Sequence, residues 1–238
     1  MLVTWFLDVD GWTPSKEDWQ RLLSYVPQNE VNLIERYRFV KDQKFALCSR
    51  LLQRKLIHQV HGVDYQNIRI ERTGKPFWVD CTNARWNYNV SHQGSIVAIA
   101  CHDLYRIGID VVCITDKSPK LTIDQFFKNF TLYFGSREWA QIHSSPNPLE
   151  CFYQLWSLKE AYVKALGIGI GFDISRVQFD LDNGIDFYLD DQLTQTWQFI
   201  TKQLNPTHYI SIAMEIPLHE RLNSIEWIQL DTHELDRL

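Results

Sequence analysis

Trp156-Ser157-Leu158-Lys159-Glu160-Ala161-Tyr162-Val163-Lys164-Ala165 lies in the clearest helical stretch of the chain, Leu149 to Leu166. Ser144-Ser145-Pro146-Asn147-Pro148 punctuates its start and Gly167-Ile168-Gly169-Ile170-Gly171 its end, the usual asymmetry of proline before a helix and glycine after it. Trp156, Glu160 and Lys164 stand four residues apart, so one helix face carries an aromatic ring, a carboxylate and an ammonium in a column. An ordinary surface Glu–Lys pair has the same spacing. Context sets this one apart: its flanks are apolar, and three alternating glycines follow, where a ligand can approach the backbone closely.

Upstream, Gly108-Ile109-Asp110-Val111-Val112 reads as a strand with one acid amid apolar residues. A buried carboxylate needs a partner or a metal, whereas one at a strand end faces water or caps a helix; both readings stay open. If Asp110 and Glu160 converge, their oxygens suit Mg²⁺, which takes few protein ligands and keeps water and phosphate oxygens. Asn89-Val90-Ser91-His92-Gln93-Gly94 joins the strand-like runs Tyr88-Asn89-Val90 and Ile96 to Ala100. Its side chains and amides fit a phosphate or a self-satisfied hairpin equally well. A Ser91–His92 nucleophilic pair is disfavoured, because neighbours along a strand point to opposite faces.

The remaining chain alternates helix and strand. Val3 to Asp8 reads as a strand, and Thr13-Pro14-Ser15 introduces a helix through Leu23. Glu30 to Val60 is mostly helical, with a break expected near Val40-Lys41-Asp42 and leucines 47, 51, 52 and 56 on one face until Gly62. Ile68 to Glu71 is a short strand before the tight loop Arg72-Thr73-Gly74-Lys75-Pro76. Pro119 to His143 reads as helices whose Phe126, Phe127 and Phe130 form a core stripe. A strand meander follows to Ile216, and its last run, His208 to Ala213, echoes Ser95 to Ala100. The echo suggests two α/β halves, residues 1–108 and 109–216, with an extension at 217–238. Leu222, Ile225, Trp227 and Ile228 imply that the extension packs rather than floats.

Composition excludes several classes. The chain has 238 residues, of which 45% are apolar, 22% charged and only 18 Gly or Pro, as in a folded domain that buries roughly 70% of its unfolded surface. Five scattered cysteines without CxxC argue for buried thiols rather than a disulfide framework or zinc site. No apolar run approaches 18 residues, and the start lacks a basic region, so a soluble cytosolic protein is expected, without membrane contact. A net charge of -5 speaks against nucleic-acid binding. Yet from Arg36 to Lys55 there are seven basic residues (Arg36, Arg38, Lys41, Lys44, Arg50, Arg54, Lys55) against Asp42 alone. A basic surface for an acidic partner or a phosphorylated ligand accounts for that better than a solvated helix face. Gly167-x-Gly169-x-Gly171 ends a helix where a dinucleotide-binding turn would begin one, and no HExxH or GxSxG occurs.

Taken together, Asn89-Val90-Ser91-His92-Gln93-Gly94, Gly108-Ile109-Asp110 and Trp156-Ser157-Leu158-Lys159-Glu160-Ala161-(x2)-Lys164-Ala165-Leu166-Gly167 resemble the three ordered signatures of the 4'-phosphopantetheinyl transferases. The likeness is to their large, monomeric class, and it extends to Arg50-Leu51-Leu52-x-Arg54-Lys55-Leu56 and Thr73-Gly74-Lys75-Pro76. It implies an α+β fold of two pseudo-symmetric α/β subdomains with a coenzyme A (CoA) cleft between them. It also implies transfer of the phosphopantetheine arm of CoA to a serine of acyl or peptidyl carrier domains, as on fatty-acid synthase or an aminoadipate-reducing enzyme. Adenosine 3',5'-bisphosphate would be the other product.

Carried over by motif, Asp110 and Glu160 would hold Mg²⁺, and Glu160 would serve as general base for the carrier serine. Lys164 would stabilise the departing bisphosphate. His92 would contact the 3'-phosphate of CoA, with Ser91 beside it, and Arg50, Arg72, Lys75 and Pro76 would hold the remaining nucleotide. Many bacterial relatives have a third acid where this chain has Val112, and Gln93 is the expected substitute ligand. The rival expectation is a non-catalytic CoA- or carrier-binding protein.

Overall fold

The computed structural model describes residues 1–72, 74–118 and 120–235; Thr73 of the loop motif, Pro119 and the tail residues 236–238 lie outside them. The chain runs β1 (Leu2–Asp8), α1 (Lys16–Leu23), α2 (Gln28–Glu35), α3 (Val40–His61), β2 (Ile70–Glu71), β3 (Phe77–Trp78), β4 (Asn87–Gln93), β5 (Ile96–His102) and β6 (Ile107–Cys113). It continues through α4 (Ile123–Lys128), α5 (Ser136–Ser144), α6 (Pro148–Leu166), β7 (Val177–Asp180), β8 (Asp186–Leu189), β9 (Gln192–Leu193), β10 (Gln198–Asn205), β11 (His208–Met214) and β12 (Ile228–Leu230).

Two sheets dominate this α+β fold, in the orders β12-β1-β5-β4 and β10-β11-β6. Alternation along each strand divides its residues between two cores. Leu7, Val97 and Ile99 face the leucines of α3, while Val112, Tyr209 and Ala213 face Phe152, Leu155 and Ala161 of α6. The intervening residues form a third core, where Phe6, Ile96, Ala98 and Ala100 meet Ile109, Val111, Ile210 and Ile212. The echoed runs are β5 and β11, both interior strands of their sheets.

The seam between the sheets is made by side chains. β6 is an edge strand, and its free N–H groups need partners. Ile107, Ile109, Val111 and Cys113 donate theirs to Asn87 Oδ1, Asn89 Oδ1, Ser91 Oγ and Gln93 Oε1 at 3.1, 3.0, 3.2 and 3.1 Å. Four polar residues at alternate positions of β4 thus replace a backbone ladder.

Two sequence expectations meet a different local structure, and the extension packs as expected. The helical break falls at Arg36–Phe39, with Phe39 extended, so Val40 opens α3. A divide after residue 108 falls inside β6, which pairs with β11 along its whole length. The extension returns to the first half, where β12 lies parallel to β1 and Leu230 and Leu235 enter its core.

Candidate active site

α6 rests directly on β6 at Gly108. A Cβ there would stand 2.1 Å from the Ala161 carbonyl oxygen and 2.3 Å from the Ala165 nitrogen, so only glycine admits the helix. Two residues on, Asp110 faces the column Glu160 and Lys164. Its Oδ1 accepts from Lys164 Nζ at 2.5 Å and from Ser91 Oγ at 3.1 Å, and the residue is 5% exposed. Ser91 Oγ in turn accepts from Lys164 Nζ at 2.8 Å and from the Val111 N–H at 3.2 Å. Residues from β4, β6 and α6, far apart in sequence, therefore close one polar cluster.

Glu160 is half-buried and lines a cleft of about 560 Å³ together with Lys164, Trp156, Val90, Lys75 and Pro76. Burial raises its pKa above the ordinary glutamate value, the nearby Asp110 carboxylate raises it further, and Lys164 opposes both. Among the described residues no hydrogen bond reaches the Glu160 carboxylate. Two neighbouring carboxylates, one of them without a donor, make a hard oxygen set that fits Mg²⁺ completed by water and phosphate oxygens. Among the described residues no cluster of three His, Cys, Asp or Glu is arranged for a metal, and Val112 is buried in the second core.

Gln93 has hydrogen-bond partners of its own. Its Oε1 accepts from Cys113 in the seam, and its Nε2 donates to Asp116 Oδ2 at 2.8 Å. The oxygen expected to replace the missing acid thus spends one of its two lone pairs on the edge of β6.

The loop Gly74-Lys75-Pro76 packs against the end of α6, where Gly167 caps the helix with φ 73°. Lys75 Nζ donates to Asn87 Oδ1 at 2.7 Å and to the Ile107 carbonyl at 2.5 Å. Burial brings its pKa down to about 7, and Arg106 adds to the shift. His92 is exposed on the opposite face of β4 from Ser91 and stacks on Phe45, with ring centroids 5.2 Å apart.

Arg50 and Arg72 meet on a residue absent from the sequence expectations. Glu30, 6% exposed, accepts from Arg54 Nη2 at 2.7 Å and from Arg72 Nη1 at 3.0 Å, and pairs with Arg50 Nε at 3.0 Å. One carboxylate thus serves three guanidinium groups and leaves a local excess of positive charge. Its only sequence signal is an acid preceding a basic run, which is too common to single out. Asn87 and Asn89 were missed too, although the alternation Asn87-x-Asn89-x-Ser91-x-Gln93 marks a strand with one polar face. The basic run itself is divided: Arg54 is fully buried and Lys44 donates to the Trp12 carbonyl, so only Arg36, Arg38 and Lys41 are exposed.

Residues 10–104 match the family model of the 4'-phosphopantetheinyl transferase N-terminal region, and residues 106–213 match that of the 4'-phosphopantetheinyl transferase superfamily. The chain belongs to this superfamily. The L-aminoadipate-semialdehyde dehydrogenase-phosphopantetheinyl transferase of Xenopus laevis is 32% identical over 89% of this chain and 76% of its own length. Its counterpart from Homo sapiens is 30% identical over 90% of this chain and 75% of its own. The phosphopantetheinyl transferase of a Thraustochytrium species is 34% identical over 89% and 77%. Among solved structures, a Thermotoga maritima holo-[acyl-carrier-protein] synthase aligns at a TM-score of 0.37 with 20% identity, over 48% of this chain and 66% of that one. The stretches that resemble the family signatures thus fall on three elements, β4, β6 and α6, joined through Ser91, Asp110 and Lys164.

Proposed function

We infer that this protein transfers the 4'-phosphopantetheine group of CoA to a serine of a carrier protein domain and releases adenosine 3',5'-bisphosphate. The observation that carries this reading is that Glu160 and Lys164 line one cleft while Lys164 pairs with the buried Asp110 behind it, in a chain whose two halves both match the family. In the transfer the serine oxygen forms a bond to the pantetheine-side phosphorus, and the bridging P–O bond to the nucleotide breaks. The serine proton goes to the Glu160 carboxylate, whose proton affinity burial raises above that of an ordinary glutamate. Lys164 has two of its three ammonium hydrogens directed at Asp110 and Ser91. The third is free to meet the charge growing on the leaving phosphate.

Asp110 and Glu160 are the residues that would hold Mg²⁺, which when bound would neutralise charge on the pyrophosphate. Arg50, Arg72, Lys75, Pro76 and His92 are assigned to the nucleotide end of CoA. Both walls of the cleft come from one chain, which supports a monomer, and the five free cysteines suit the cytosol. Fatty-acid synthase and an aminoadipate-reducing enzyme are the candidate carriers, with holo-[acyl-carrier-protein] synthase activity on the former.

Intact mass spectrometry of an apo carrier incubated with the protein, CoA and Mg²⁺ tests the reading. A phosphopantetheine mass gain is expected with the parent protein. It should vanish with Glu160→Ala and with a carrier whose serine is replaced by alanine. CoA binding without any gain across a panel of carriers would overturn transfer in favour of a binding protein.

A further inference from the structure

Ser91 is 5% exposed and sits where the seam, the β6 carboxylate and the α6 ammonium meet. A serine hydroxyl offers one hydrogen and two lone pairs. All three are used: the hydrogen goes to Asp110 Oδ1, and the lone pairs take Val111 N–H and Lys164 Nζ, at 3.1, 3.2 and 2.8 Å. No capacity is left for a phosphate or a pantetheine oxygen. The family resemblance had grouped Ser91 with the CoA contacts; hydrogen-bond accounting excludes it from that role.

We propose that Ser91 is a positioning residue that acts through Asp110 and Lys164 and makes no contact with CoA. Three features carry this. Its bond to Val111 is one rung of the β4–β6 seam, so its Oγ is fixed relative to the strand that bears Asp110. Its side chain also reaches both Asp110 and Lys164, the two oppositely charged groups that pair at the cleft. Finally, Lys164 is held by two oxygens from different strands, which confines a long, flexible side chain to one orientation. The next residue, His92, points to the opposite face. The two neighbours of the family signature therefore divide the work: His92 meets solvent and ligand, and Ser91 sets the machinery behind it.

The inference rests on the transfer reading, and its test separates the two. CoA affinity is measured by calorimetry without metal, and kcat and KM for CoA by carrier modification, for the parent, Ser91→Ala, Ser91→Cys and Ser91→Thr. Loss of an orienting partner behind a reactive group lowers activity about 10- to 100-fold in comparable sites. Ser91→Ala is expected to lose kcat by that factor, with CoA affinity and KM within about threefold of the parent, and Ser91→Thr, which keeps a hydroxyl, to recover most of it. A tenfold loss of CoA affinity with kcat retained would overturn the proposal and make Ser91 a ligand contact. Unchanged kcat would overturn it as well. Should Ser91→Ala fail to fold, Ser91→Cys keeps the volume with a weak donor, and the same split or its absence decides. A parent that binds CoA without modifying carriers refutes the transfer reading; the CoA affinity of Ser91→Ala then decides the Ser91 assignment alone, an unchanged value upholding it and a tenfold loss overturning it.

Discussion

The backbone of Gly108 lies so close to Ala161 that a single added carbon would sit 2.1 Å from that residue's carbonyl oxygen. This contact sets the height of α6 above β6, and with it the reach of Lys164 to Asp110.

Gly108→Ala is therefore expected to act on both stability and chemistry. The clash is with helix backbone, which cannot swing aside, so α6 must lift. Overpacking of this kind costs about 1–3 kcal/mol. A fall in the midpoint of chemical denaturation, with a loss of transfer activity larger than the unfolded fraction explains, is the expected outcome. Activity in proportion to folded protein would show that the helix can shift without disturbing Asp110.

Lys159 and Glu160 are adjacent and oppositely charged, but they belong to different networks. Lys159 is fully buried, pairs with Glu138 at 2.8 Å, and donates to the carbonyls of Ile174 and Val177. Lys159→Met should destabilise the protein by about 3–5 kcal/mol, because it leaves Glu138 buried without its partner. Glu160→Gln should leave the melting temperature near that of the parent and lower kcat about 10²- to 10⁴-fold. Denaturation curves and the carrier mass assay on both variants check the contrast.

Glu30 gives stability a defined pH dependence. Burial opposes its ionisation, but Arg54, Arg72 and Arg50 outweigh that and hold its pKa below the ordinary 4.5. The stabilisation is thus fully present above pH 4.5 and is lost as pH falls through the lower folded value. Glu30→Gln should cost about 3–5 kcal/mol at neutral pH and progressively less in acid. Urea denaturation of parent and variant from pH 7 to pH 3 should show the two converging at the acid end; a constant gap would refute the linkage.

Lys75 predicts a slope of the same sign in the alkaline range. Its pKa is about 7 in the fold against 10.5 in the free chain, so between these values the unfolded state binds more protons and stability rises with pH. Lys75→Met should remove that rise. A phosphate arriving beside Lys75 would favour the charged form again. CoA binding at pH 8.5 should therefore take up protons, seen as a dependence of the calorimetric enthalpy on buffer ionisation, and Lys75→Met should bind CoA without it.

The helix column, the Gly-Ile-Asp strand and the hairpin of β4 were legible because each is local. Their turn residues, periodicities and spacings lie within a few positions of one another. Glu160, Lys164 and Asp110 are where those patterns led. Gln93, expected as a ligand, is also a rung of the seam. In sequence an amide oxygen looks the same whether it faces a metal or the N–H of a strand twenty positions away.

The partners of Glu30 and the pairing of β6 with β11 were not legible for a related reason. A buried carboxylate shared by three arginines, or a strand completed by residues from the far end of the chain, consists of contacts between segments that no local pattern links. The amino-acid sequence alone determined the elements, the glycine that admits α6, and the chemical types brought to the cleft. The tertiary structure decided which polar atoms remain free. Hydrogen-bonding capacity is finite, and only the packed neighbours reveal that Ser91 and the oxygen of Gln93 are engaged by the seam while Glu160 still faces the cleft.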